Sequence, residues 1–301
     1  MSKRTLAILA AIGAAIIYGL NHSIAKSVMP TYIKPFGFIL LRVLGASVLF
    51  WCFAPFAPKE KVAREDWGRI IFCSFLGMAV NMLAFFKGLQ LSTPINSSVL
   101  VTTTPIIVVI LSAFLIKEKI TVQKGFGIFL GFIGALMLIL FGSEIRSDAP
   151  NIPLGNALFI VNGITFGSYL ILVKKLLEKY HLFTLMKWLF TIGVLFNIPI
   201  AYSEFITVEW TNLPQQAIWS FVFVVVGTTF LTYLFNVFAL SQLKASTVSS
   251  FIYMQPLIGI AFAILIGADT LTATKLVAAI LVILGVYLSS KKVKVGGGVN
   301  K

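Results

Sequence analysis

Long apolar runs follow one another down this chain, separated by short polar clusters. Ten can be marked, at 5–28, 34–56, 67–90, 95–116, 122–142, 153–174, 182–203, 215–240, 246–268 and 273–290. A run of about 20 apolar residues is what a helix needs to cross a bilayer core. No stretch alternates apolar and polar over the length of a membrane strand, so the pattern predicts helices rather than a barrel. The connections are too short for a soluble domain. The first run follows Lys3 and Arg4 like a signal peptide, but it lacks a convincing cleavage site and leads into further runs, so it is read as helix one.

The polar positions inside the runs repeat. NSSVLVTTTPIIVVILSAFLIKEK is echoed by ASTVSSFIYMQPLIGIAFAILIGADTLT. An offset of 151 residues sets Pro105 on Pro256, Ser98 on Ser249, Glu118 on Asp269, Thr121 on Thr272 and Gly134 on Gly285. At the start of each half an offset of 148 sets YGLNHSIAK against FGSYLILVK, and Lys26 against Lys174. The expected fold is therefore an all-α integral membrane protein of ten transmembrane helices in two five-helix repeats. These occupy 1–142 and 153–290, with 291–301 as a basic tail. Five is odd, so tandem copies must insert upside down to one another, as in many carriers.

Composition agrees. Of the residues, 58 % are hydrophobic and 11 % charged, where a soluble domain carries about a quarter charged. The net charge of +14 would suggest nucleic acid in a soluble protein, but no basic groove-lining helix or zinc spacing supports that. The basic residues instead gather on one side. That side holds Lys3, Arg4, Lys59, Lys61, Arg64, Arg69, Lys117, Lys119, Lys124, Lys174, Lys175, Lys179, Lys187, Lys244 and the tail lysines. The other keeps Lys26, Lys34, Arg146 and Lys275. The positive-inside bias puts both termini in the cytoplasm. Lys26, Lys87 and Lys174 are expected to snorkel at helix ends. Cys52 and Cys73 read as small core residues.

Polar side chains in mid-span are costly in hydrocarbon and should face a cavity or one another. The candidates for solute contact are Asn21, His22, Arg42, Asn81, Ser98, Thr102, Asn162, Tyr169, Tyr233, Asn236, Ser249 and Tyr253. His22 is either a satisfied interhelical partner or a proton carrier. Arg42 has no mid-span acid to pair with. It either bonds helix-end carbonyls or attracts a solute carboxylate or phosphate. Pro105 follows Thr102, Thr103 and Thr104, and Pro256 follows Gln255. A mid-helix proline removes an amide donor and bends the rod, so both are candidate gating positions. The freed carbonyls are tolerable only where hydroxyls or cavity water reach them. Gly127 and Gly131 allow close helix contact, expected within the monomer, with a dimer as the alternative. Glu118 and Asp269 are expected to be caps or turn charges.

These features together resemble the EamA family of the drug/metabolite transporter superfamily. The resemblance rests on YGLNHSIAK, on Pro35 and Arg42 in PFGFILLR, on AFFKGLQLSTPINSSVLVTTTPIIVVILSAFLIKEK and GFIGALMLI, and on their second-half counterparts through ILGVYLS. FTLMKWLF, opposite PFGFILLR, lacks the proline and arginine. The resemblance implies a ten-helix inverted-repeat exporter or exchanger of amino acids, metabolites or drugs in a bacterial inner membrane. Its cavity would lie among helices one, three, four, six, eight and nine.

The expected activity is secondary transport of a small organic metabolite by alternating access, with amino-acid-like solutes favoured by the aromatic and hydroxyl lining. A passive channel or scaffold is the alternative. An intramembrane enzyme is disfavoured by the absence of HExxH, GxSxG or paired intramembrane acids. No GxxxxGK[ST] loop is present for ATP. No metal or cofactor is expected. The partners expected are a small-molecule substrate and membrane lipid, not nucleic acid.

Overall fold

The structure, a computed structural model, describes residues 2–115, 121–141, 148–243, 251 and 254–290. Among them every regular element is helical. We number ten helices in chain order. α1 is Lys3–Val28 and α2 is Pro35–Phe53. α3 runs through Trp67–Ser74, Phe75–Val80 and Asn81–Leu91. α4 comes in two pieces, Pro94–Val101 and Thr104–Leu115. α5 is Val122–Phe141, α6 Ile152–Leu177 and α7 Leu182–Ile206. α8 runs through Gln215–Val222, Phe223–Leu231 and Thr232–Gln242. α9 is Met254–Leu265 and α10 Ala273–Ser290. Six of these rods are long and apolar enough to cross a membrane, and four shorter apolar helices accompany them. We call the end of the bundle holding Lys3 and Ser290 the near end and the opposite end the far end.

Helix ends are set by short polar signals. The Ser2 hydroxyl accepts from Thr5 N at 3.2 Å. Thr93 accepts from Asn96 N at 3.3 Å, and Asn151 from Leu154 N at 3.1 Å. At α4 and α6 a proline follows within the first turn, where its missing amide removes no helix bond.

The helices pair in a way that exchanges the two halves. α2 lies along α7 and α5 along α10. α3 lies on α6 as α8 lies on α1, and α4 on α6 as α9 on α1. The α2–α7 pair is antiparallel. At the far end the Glu204 carboxylate, from the last turn of α7, accepts from Phe36 N at 2.7 Å and Gly37 N at 3.0 Å in the first turn of α2. At the near end Glu60, just past α2, accepts from His181 N at 2.7 Å, where α7 begins. An anion at a helix N-terminus satisfies orphan amides and the helix dipole. α5 and α10 are also antiparallel, with Gln123 donating to Leu288 O at 3.5 Å. There a Cβ on Gly285 would lie 2.4 Å from Gly131 N and 2.6 Å from Gly127 O. Gly127 and Gly131 thus serve packing within the chain.

The middle turns of α3 and α8 are π-helical, over Phe75–Val80 and Phe223–Leu231. They account for the two offsets in the sequence. The π segments start 148 residues apart, and the α-helical pieces that follow them, at Asn81 and Thr232, start 151 apart. The second half carries its extra three residues in its wider π segment. π turns inside helices are frequently found at functional positions.

Phenylalanines divide between core and periphery. Phe38, Phe50, Phe86, Phe159 and Phe190 are fully buried, whereas Phe114, Phe126, Phe129, Phe132 and Phe141 are exposed on α4 and α5, where lipid would lie.

Candidate functional site

Among the described residues, three polar clusters lie in the middle of the bundle. The first surrounds Arg42. Its side chain is buried and crosses from α2 to the π segment of α8. Nε donates to Thr229 Oγ1 at 2.5 Å, and one terminal nitrogen reaches Thr228 O at 3.5 Å. The guanidinium carbon sits 5.3 Å from the centroid of Phe86, within cation–π range. The same Thr229 hydroxyl donates to Val224 O, five residues back, at 2.8 Å. The wide turn therefore offers the arginine both a hydroxyl and a carbonyl. No carboxylate pairs with Arg42 among the described residues. Tyr18 and Tyr233 lie within electrostatic reach of it, and Tyr169 within reach of both tyrosines. Tyr18 also interacts with Thr232 and Asn236. Arg42, Tyr169, Tyr233 and Asn236, expected at a solute site, are thus brought together, and Tyr18 joins them.

The second cluster lies at mid-bundle beside the π segment of α3. Asn81 and Asn162 reach across α3 and α6 and donate to each other's backbone carbonyls, at 3.1 and 3.0 Å. Asn197 on α7 donates to Met78 O at 2.9 Å, inside the π segment, while its own Oδ1 is buried with no partner among the described residues. Tyr169 closes on the same segment, since a Cβ on Gly77 would meet its ring at 2.7 Å.

The third cluster joins α1, α4 and α9. His22 Nδ1 pairs with Ser97 Oγ at 2.7 Å, and its ring leans on Phe85 at 5.6 Å between centroids. Asn21 is 2 % exposed, and its Oδ1 has no partner among the described residues. Ser98 is fully buried against Gly259, its hydroxyl likewise without a partner. Below it α4 breaks between Val101 and Thr104. Thr104 Oγ1 donates to Val101 O at 2.7 Å, the carbonyl that Pro105 has no amide to serve. Thr102 and Thr103 do the same for Val99 O and Leu100 O, at 2.5 and 2.7 Å. Ser249 and Tyr253, and the residues just before α9, lie outside the described residues. Pro256 occupies the first turn of α9 as described, so any bend matching that of α4 also falls outside them.

Lysine 26 departs from expectation. It was expected at the membrane interface but is 8 % exposed. Its ammonium donates to Leu89 O at 2.8 Å, Gln90 O at 3.0 Å, Ser92 O at 2.8 Å and Asp148 O at 2.6 Å. It thus caps the last turn of α3, whose carbonyls have no helical partner. Around it the far end is sewn shut. Ser92 donates to Asn156 Oδ1 at 2.5 Å, and Asn96 to the same oxygen at 3.3 Å. Asp269 accepts from Ile95 N at 3.2 Å, capping α4, and pairs with buried Lys275 at 2.8 Å. Asp269 is therefore a helix cap, as its turn position suggested. Nothing in the sequence announced Asn156, Asn197 or the depth of Lys26, because each depends on a partner distant along the chain.

At the near end Lys179 pairs with Asp66 at 2.5 Å and Glu65 at 3.1 Å. Hydrogen bonds to these two carboxylates, Asp66 first, hold its ammonium above the ordinary lysine range. A groove of about 760 Å³ between the far ends of α1 and α8 is lined by Ile24, Gln215, Trp219 and Phe223. It lies on the flank and contains none of the expected site residues.

Ten apolar helices in exchangeable halves, with polar clusters buried among them, define a multi-pass membrane protein of the repeat-built type. The chain belongs to the EamA-like transporter family, which matches residues 5–140 and again 153–291. An uncharacterized transporter of Archaeoglobus fulgidus is 26 % identical over 262 residues, 86 % of this chain and 89 % of its own. Two uncharacterized transporters of Bacillus subtilis are also similar. YoaV is 26 % identical over 86 % of this chain and 88 % of its own, and YetK 29 % over 60 % and 56 %. A crystal structure of 14 % identity shares the fold at a TM-score of 0.65 over 95 % of this chain and 97 % of its own.

Proposed function

We propose that the protein is a secondary transporter that moves a small amphipathic organic solute, amino-acid-like in carrying a carboxylate, outward by alternating access. It would do so in a bacterial inner or plasma membrane with both termini in the cytoplasm. The observation that carries this reading is Arg42, a buried mid-membrane cation with no acidic partner among the described residues. A lone charge at that depth is rare and costly, and usually marks a solute or ion path. Tyr18, Tyr169 and Tyr233 beside it each join an apolar ring to a hydroxyl, suited to a ligand with one charged and one greasy end.

The relatives' descriptions as transporters, and the paired halves, support a carrier over a scaffold. The lysine asymmetry between the two ends supports the orientation.

The test is counterflow in liposomes with purified protein, using radiolabelled acidic, zwitterionic and neutral solutes. Arg42→Ala is expected to lower flux of carboxylate-bearing solutes about tenfold or more while sparing neutral ones. Equal loss for both, in folded protein, overturns the charge-recognition role. Absence of counterflow for every small organic solute overturns transport itself.

A further inference from the structure

We infer that Lys26 and Lys174 are alternating latches, one for each end of the bundle, and that the structure holds the first latched and the second released. This rests on the transport reading above.

The first observation is position. Lys26 stands in the last turn of α1 and Lys174 in the last turn of α6. They are 148 residues apart, the offset that relates the first parts of the halves. α1 and α6 end at opposite ends of the bundle, Lys26 at the far end and Lys174 at the near end.

The second is the target. Lys26 takes three carbonyls where α3 ends, Leu89, Gln90 and Ser92. Ser92 is the residue at which α3 stops, with extended backbone and its N–H bonded to Gly88 O. The counterpart is Leu243, where α8 stops with extended backbone and its N–H bonded to Ala239 O. That correspondence keeps the offset of 151. The carbonyls matching those held by Lys26 are therefore Leu240, Ser241 and Leu243, at the near end of α8. A helix C-terminus exposes carbonyls and partial negative charge, so it accepts an ammonium wherever one can reach.

The third observation is the difference in state. Lys26 is buried and holds four carbonyls. Lys174 is exposed. Two equivalent residues with equivalent targets, one engaged and the other exposed, its ammonium with no bond to the described residues, are what alternating closure of an inverted pair requires. When the near end closes, Lys174 takes the end of α8. When the far end opens, Lys26 leaves the end of α3, and its ammonium and those carbonyls pass to water. Neither lysine needs to touch the solute. Each acts by favouring one closed end.

The test separates this from transport itself. In protein lacking native thiols (Cys52→Ser, Cys73→Ala), one reporter is placed at Ser23→Cys, buried on α1 one turn before Lys26, and another at Leu170→Cys on α6, one turn before Lys174. Labelling rates by a water-soluble maleimide are read for the parent, Lys26→Met and Lys174→Met, alongside counterflow. Lys26→Met is expected to raise Ser23→Cys labelling about tenfold and lower that of Leu170→Cys, because a charged donor is lost from one closed state only. Lys174→Met is expected to do the reverse, and Lys26→Arg to restore the parent pattern in part. Both methionine variants should slow counterflow. If the two variants move the reporters in the same direction, or Lys174→Met changes neither labelling nor flux, the latches are overturned while transport stands. If no solute is transported but labelling shifts reciprocally, the latches stand and the transport reading fails. Lys174 is exposed, so its variant decides the matter even where Lys26→Met fails to fold.

Discussion

Asn81 and Asn162 donate their side-chain amides to each other's backbone carbonyls, at 3.1 and 3.0 Å, across the α3–α6 contact. These two residues, expected to face solute, also hold the two helices together through their side-chain amides. Substituting either by Leu should lower the thermal unfolding midpoint in detergent, at a cost of about 0.6–1.7 kcal/mol as for other polar contacts between membrane helices. The double variant should cost less than the sum of the singles. Unchanged stability with a shifted solute preference would return the pair to solute contact.

Thr229 has two tasks, accepting from Arg42 Nε and donating to Val224 O. Thr229→Val takes the hydroxyl acceptor from a charged donor and removes a second bond to Val224 O, so it should destabilise by about 1.5–3 kcal/mol. Thr229→Ser should recover most of that loss. Denaturant titration of the three proteins in one detergent checks it, and equal stability of Val and Ser would mean that the hydroxyl bonds contribute nothing.

The Asp269–Lys275 pair is nearly inaccessible, with side chains 0 % and 4 % exposed. Breaking a buried pair strands the remaining charge, so Asp269→Ala should cost about 3 kcal/mol or more. Asp269→Ala combined with Lys275→Met should be milder than Asp269→Ala alone. Asp269 also serves Ile95 N, so the double variant should not reach parental stability. A double variant worse than the single would reject this account.

Gly285 faces the backbone of Gly131 and Gly127 so closely that any side chain must part α5 from α10. Gly285→Leu should reduce folded yield and lower the unfolding midpoint, with an overpacking cost of about 1–3 kcal/mol or more. Gly125, which has open space at its Cβ position, should accept Ala with little change. A tolerated Gly285→Leu would mean that the two helices do not meet as described.

The ten helices were legible because a bilayer admits few ways to satisfy a backbone, and the length of each apolar run follows from that. The threonine–proline break in α4 was legible for a local reason: Thr104 lies one residue from Pro105 and reaches the carbonyl that proline cannot serve. The glycine seam of α5 was legible as close contact, and the structure supplies the partner on α10. Partners distant along the chain were not. Lys26 carries the composition of an interfacial anchor, and only the end of α3 beside it makes it a cap. Asn197 reads as an ordinary polar residue until the π segment of α3 presents Met78 O to it. The π segments left a faint trace, the change of offset from 148 to 151, which alone does not say where the extra residues go.

That change of offset marks where the two halves stop being interchangeable. The wide turn occurs in the third helix of both halves, starting at corresponding residues, Phe75 and Phe223. A feature placed alike in both halves belongs to the five-helix unit itself rather than to the local needs of one half. The turn spans nine residues in α8 and six in α3, so the two units are not equivalent there, and Arg42 binds the longer of the two.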